Sequence, residues 1–231
     1  MPYRRFPKTD SARIRALSTL LDYNSSHSVQ GRFIDWKTVA DVRTVYGKLV
    51  TAVQQRKADG AALQRFNASM GKLQHNATLY VSHFLQVLFM CVQRGEIRAS
   101  QLQLYGLKPS KLAIPNIKTI NGLISWGKKT EAGEKARIAK GGRPIYNPSI
   151  GMVATHCDIF CEACQKQKLL VARVERDLQE LEKLREKADK VILSLWNQIE
   201  SHFASLPPDK RFNECRKYGV IYYYRRGEEK E

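Results

Sequence analysis

One histidine and three cysteines stand together as His156-Cys157-x3-Cys161-x2-Cys164. Thiolates and an imidazole are the donors of a tetrahedral zinc site, with His156 as the fourth ligand. The same cysteines also fall at i, i+4 and i+7, which on a helix forms a single stripe. A reduced cysteine is a small, largely apolar side chain that packs well in a core. The spacing therefore allows metal ligation or plain packing, and the elements around it must decide.

The triplet spacing resembles the cluster-binding motif of radical S-adenosylmethionine enzymes over eight residues. That resemblance implies three thiolates on a [4Fe–4S] centre, carried by a loop after the first strand of a partial βα barrel. No alternation of strands and helices follows Cys164 here. From Met152 to Leu206 the chain has neither Gly nor Pro and reads as long helix.

An internal repeat weighs on the choice. Residues 36–94 lie over residues 147–205 with a shift of 111, and their apolar positions coincide: Val42 with Val153, Leu49 with Phe160, Leu73 with Leu184, Ala77 with Ala188, Phe84 with Leu195. Both segments close alike, on Arg98…Tyr105-Gly106-Leu107 and Arg211…Tyr218-Gly219-Val220. Tyr46, Val50 and Val53 occupy the frames of Cys157, Cys161 and Cys164, and Val45 that of His156. Packing residues in the first copy predict that the cysteines pack in the second, with no metal or other cofactor. The period is longer than that of the usual solenoid repeats, which run to about 50 residues.

The elements follow from periodicity and punctuation. Thr9 or Asp10 is placed to cap a short helix with Ile14, Leu17, Leu20 and Leu21 on one face. Residues 24–32 read as a polar loop, and Asp35 as the next cap. Asp59-Gly60 reads as a stop and turn, followed by a helix from Ala61 to near Gln93. The first copy, 33–107, is then a helical hairpin. By equivalence the second, 150–231, turns near Lys166–Leu170, an unbroken helix being the alternative. Residues 1–32 form a basic arm and short helix. Residues 108–149, with four prolines and five glycines, form a loop-like connector with at most a short strand or helical turn at Lys118–Trp126. The tail Gly219–Arg226 has high β-propensity and predicts a strand beside Leu104–Leu107. The expected fold is all-α: internally duplicated long helical hairpins forming a bundle, a short N-terminal helix, and short β segments after each hairpin.

Charge gives the functional direction. The 231 residues carry a net charge of +17, yet residues 1–150 hold 24 Lys/Arg and 8 Asp/Glu, whereas residues 151–231 hold 15 and 14. Such asymmetry points to a polyanionic partner. The basic residues mix with aromatics in three places: the arm (Arg4, Arg5 and Lys8 with Tyr3 and Phe6), the connector (Lys128, Lys129, Lys135, Arg137, Lys140 and Arg143 between Trp126 and Tyr146), and the tail (Tyr222–Arg226). Cations neutralise phosphates and aromatics stack on bases.

Catalytic signatures are weak. The five histidines are scattered, with His83 and His202 expected within apolar helical faces, and no paired carboxylates stand out. Gly127-Lys128-Lys129-Thr130 lacks the upstream glycine and strand of a phosphate loop. With 43% apolar residues the chain is long enough for one large or two small cores. It has no stretch of ~20 apolar residues that would span a bilayer. The N-terminus lacks the apolar core of a signal peptide, so a cytoplasmic location is the default, and an odd number of cysteines fits a reducing compartment. The sequence thus predicts a non-enzymatic helical scaffold whose basic arm and connector contact a polyanion, foremost nucleic acid. A structural assembly protein, self-associating or bound to acidic protein neighbours, is the second reading. A metal-dependent enzyme built on the cysteine triplet is the third.

Overall fold

The computed structural model describes residues 2–28 and 32–225; residues 29–31 of the polar loop and the tail from Arg226 onward lie outside the described residues. The chain is mainly helical: α1 (Asp10–Ser26), α2 (Trp36–Gln93), a 3-10 helix (Ala99–Tyr105), α3 (Ile120–Ala139), α4 (Ile150–His202) and α5 (Pro208–Lys217). Two short strands, β1 (Tyr3–Arg4) and β2 (Tyr222–Tyr223), complete the described elements. Among the described residues no helix is long and apolar enough to cross a membrane.

The helices form two compact units, and α2 and α4 contribute to both. The first comprises Met1–Gly60 and Arg173–Glu231. Its core gathers Leu17 and Leu20 of α1, Val42 and Leu49 of α2, and Leu195, Trp196 and Ile199 of α4, all fully buried. Each such large apolar side chain contributes about 1.5–3 kcal/mol by leaving water. Thr9 caps α1 by accepting from the Ala12 amide at 3.2 Å. Two bidentate ion pairs then fix α1 along α4. Arg185 holds Asp10 at 2.7 Å through both nitrogens, and Arg13 holds Asp189 at 2.7 and 2.9 Å.

The second unit is Ala61–Ala172. Val81, Phe84, Leu85 and Leu88 of α2 meet Leu102 and Tyr105 of the 3-10 helix, Leu123 of α3, and Val153 and Phe160 of α4. Close approach of helices is made by glycine. A Cβ on Gly127 would lie 2.6 Å from Cys157 Sγ, and one on Gly133 would lie 2.8 Å from Tyr105 Cα.

Several expectations are corrected. Both hairpin turns are absent: α2 runs unbroken through Asp59-Gly60, and α4 through Lys166–Leu170. An exposed glycine within a helix costs only about 1 kcal/mol, which packing outweighs. Asp59, read as a turn residue, is buried and accepts from Gln55 one turn earlier at 2.7 Å. The connector is not a loop. Thr119 caps α3 by accepting from Gly122 N, and twenty helical residues follow. Leu104–Leu107 is no strand; it spans the end of the 3-10 helix, and β2 pairs instead with β1 of the arm.

The two halves of the chain share local geometry all the same. The caps Thr9 and Thr119 stand 110 residues apart, and Arg13, Leu17, Leu20 and Asn24 are buried at the same spacing from Leu123, Gly127, Thr130 and Glu134. Gly106 and Gly219 both adopt positive φ, 72° and 87°. Leu107 N donates to Leu102 O at 3.1 Å, and Val220 N to Cys215 O at 3.2 Å, the same left-handed helix stop.

Candidate polyanion-binding surface

The 3-10 helix, α3 and the turn after it carry the densest positive charge in the second unit. Residues 98–143 hold ten Lys/Arg and two Asp/Glu. Both acids are consumed locally: Glu131 pairs with Lys135 at 2.6 Å, and Glu134 with Arg137 at 2.7 Å. Eight cations remain, Arg98, Lys108, Lys111, Lys118, Lys128, Lys129, Lys140 and Arg143, all exposed. None of them makes an ion pair among the described residues.

Helical spacing arranges part of this set. Lys128 and Lys129 are exposed on α3, whose buried side carries Leu123, Gly127, Thr130 and Glu134. The Lys129 ammonium lies 4.5 Å from the Trp126 ring centroid, and the Lys129 stem lies beside Gly106, two residues before Lys108. Tyr146, 80% exposed, follows Arg143 on the turn into α4.

Arg137 departs from its expected role. It is 2% exposed and cannot meet a polyanion. Its guanidinium donates through Nε to Glu134 and to the Tyr105 hydroxyl, each at 2.9 Å, and through Nη2 to Glu134 and the Arg143 carbonyl, each at 2.7 Å. The Tyr105 hydroxyl donates to Glu134, and the Ile145 amide does so at 3.0 Å. Burial by itself would raise the Glu134 pKa, but Arg137, Tyr105 and the Ile145 amide outweigh it and hold the carboxyl below its usual range. This closed network ties the 3-10 helix to α3 and to the turn bearing Arg143 and Tyr146. The Glu134-x2-Arg137 pair at i,i+3, set beside the small residues Gly127, Thr130 and Gly133, is the sequence signal that marks it.

In the first unit, Arg4 is also engaged internally. It bonds Asn197 at 2.8 Å and Glu200 at 3.2 Å, and its guanidinium stands 6.0 Å from the Trp196 ring. Arg5 and Lys8 are exposed. The structure brings arm and tail together through the antiparallel pairs Tyr3↔Tyr223 and Arg4↔Tyr222.

Cys157 and Cys164 sit on the side of α4 that packs into the core of the second unit. Cys164 is buried, Cys157 and Cys161 are half-buried, and Cys157 lies against Gly127. Burial, with Asp158 and Glu131 nearby, pushes the Cys157 thiol up to about 11, the opposite of an activated thiolate. His156 stacks on Tyr80 at 4.0 Å. Among the described residues no group of three or more His, Cys, Asp or Glu is placed to hold a metal ion. Gly127–Thr130, the faint phosphate-loop segment, lies inside α3. His83 and His202 are exposed, His202 stacking on Phe33 at 3.7 Å.

One carboxylate pair escaped the sequence reading. The Asp59 and Asp177 carboxyls interact directly across the α2 and α4 segments of the first unit. Gln55 holds the Asp59 pKa down, whereas burial and Asp59 itself push Asp177 up. Arg173 stands 3.6 Å from Asp59. Its members are far apart in the chain, so spacing could not reveal it. No family model, curated protein or solved structure matches this chain.

Proposed function

We propose that this protein is a non-enzymatic helical scaffold that binds a polyanion, foremost nucleic acid, through the second unit. The observation that carries the reading is the set of eight exposed cations between Arg98 and Arg143 that make no ion pair among the described residues. Gathering like charges costs self-repulsion, and a partner's phosphates relieve it while releasing counterions. The buried Tyr105–Glu134–Arg137 network holds the charge-bearing elements in fixed register, which lowers the entropy lost on binding. The matched caps, buried positions and helix stops support an origin by internal duplication.

The test is fluorescence anisotropy with a labelled duplex, titrated across salt. The expected result is a steep linear fall of log K with log salt. Replacing Lys128, Lys129, Lys140 and Arg143 by Gln makes that slope shallower by about 0.9 for each phosphate that is no longer neutralised. No binding at low salt, together with a discrete oligomer by light scattering, would overturn this reading in favour of an assembly protein.

A further inference from the structure

The arm–tail ribbon of the first unit has two faces of different character. Strand alternation sends Arg4 and Tyr222 toward α4, where Tyr222 donates to Glu200 at 2.7 Å. Phe6 follows them onto the Trp196 ring at 5.6 Å. The other face carries Tyr3, Arg5, Ile221 and Tyr223; Arg5 N donates to Ile221 O at 2.8 Å, which extends the pairing by one residue. Tyr3 and Tyr223 meet at 5.9 Å, and the Arg225 guanidinium lies 4.2 Å from the Tyr3 ring centroid.

Beside this face opens a cavity of about 660 Å³, whose lining among the described residues includes Arg5, Phe6, Lys8, Ile221 and Tyr223 and no carboxylate. The nearest acid in sequence, Asp10, is already neutralised by Arg185 and Arg13. The volume matches small-molecule sites. The exposed cations Arg5 and Lys8 beside the aromatic Phe6 and Tyr223 suit a planar, anionic ligand. Arg4, the remaining cation of the lining, is held by Glu200 and leaves Arg5 and Lys8 for phosphate.

We propose that this cavity is a nucleotide site, with the base stacked on Tyr223 and the phosphate held by Arg5 and Lys8. As the site for one unpaired nucleotide of a strand it rests on the nucleic-acid reading above; as a site for free nucleotide it stands without it. A base paired within a duplex cannot reach Tyr223, so the site discriminates single strands from duplexes.

The experiment compares a labelled single-stranded 12-mer, its duplex, and AMP, with ribose 5-phosphate as the baseless control. The full-length protein is used, with helicity checked by circular dichroism. Tyr223→Ala is expected to weaken the single strand about 5- to 100-fold and to leave the duplex within twofold, while Tyr223→Phe retains binding. Arg5→Gln with Lys8→Gln is expected to lower the single-strand salt slope by about 1.4. AMP binding that is abolished in Tyr223→Ala and not matched by ribose 5-phosphate supports the site for a free nucleotide. Oligonucleotide binding that is indifferent to Tyr223, Arg5 and Lys8 but sensitive to Lys128 and Lys129 overturns the nucleotide site and leaves the proposed function standing. AMP binding at Tyr223 with no oligonucleotide binding at low salt does the reverse. Failure of every probe overturns both.

Discussion

Glu134 and Arg137 show how one buried pair fixes several elements at once. Removing either partner strands a charge in a dry site. Glu134→Ala is therefore expected to cost about 3–5 kcal/mol in urea unfolding, far more than the exposed Lys135→Ala, which is expected to cost under about 1 kcal/mol. Because the Glu134 pKa is held down in the folded state, its contribution is present above the ordinary carboxyl range and is lost as pH falls through the folded value. Asp177 has the opposite sign. Its folded pKa is raised, so its contribution is present at low pH and is lost as pH rises through the folded value. Asp177→Asn is expected to be more stable than the parent at neutral pH, with the difference shrinking toward pH 4 in parallel unfolding titrations.

At the scale of elements, α2 tolerates glycine where nothing crowds it, and α3 needs it where another element comes close. Around Gly60 and Gly71 an added Cβ would meet nothing within 4 Å. Gly60→Ala is expected to raise stability by up to about 1 kcal/mol, measured by chemical denaturation; loss of stability would show that the helix is strained there. Gly127→Ala is expected to destabilise, because the new methyl overlaps Cys157 Sγ and the helix backbones cannot separate without opening the core. Cysteine spacing and glycine placement belong to one packing solution: α3 approaches α4 closely because Gly127 leaves room for the thiol. Maleimide labelling of Cys157 is accordingly expected to be slow at pH 7 and to accelerate as pH approaches 11.

At the scale of the whole molecule, each unit has its own hydrophobic cluster, and the clusters share no residue. Leu20→Ala in the first and Leu102→Ala in the second are each expected to cost about 2–5 kcal/mol. Their effects are expected to add within about 0.5 kcal/mol in the double variant, since neither side chain shares a cluster with the other. A large deviation in urea unfolding would reveal coupling through the helices common to both units. The distribution of charge and cavity follows the same division. The second unit carries the eight exposed cations, and the first carries the mixed aromatic and cationic cavity.

Periodicity and capping chemistry are local, and what depends on them was legible in the sequence: the all-α class, a cap at Thr9 or Asp10, the start of the first long helix after Asp35, and the likeness of the Tyr105-Gly106-Leu107 and Tyr218-Gly219-Val220 endings. Local rules also misled where long-range packing outweighed them. Asp59-Gly60 has turn chemistry, but Asp59 gains a hydrogen bond from Gln55 and an ion pair with Arg173 by remaining helical. The glycines of α3 read as a loop until their neighbours, Cys157 and Tyr105, are seen to need the space. Composition located the positive charge but could not tell an exposed cation from a buried one, since Arg137 and Lys128 look alike until Glu134 closes on Arg137. That arm and tail meet is settled by the fold alone, because pairing Tyr3 with Tyr223 across the length of the chain depends on where α1, α4 and α5 deliver their ends.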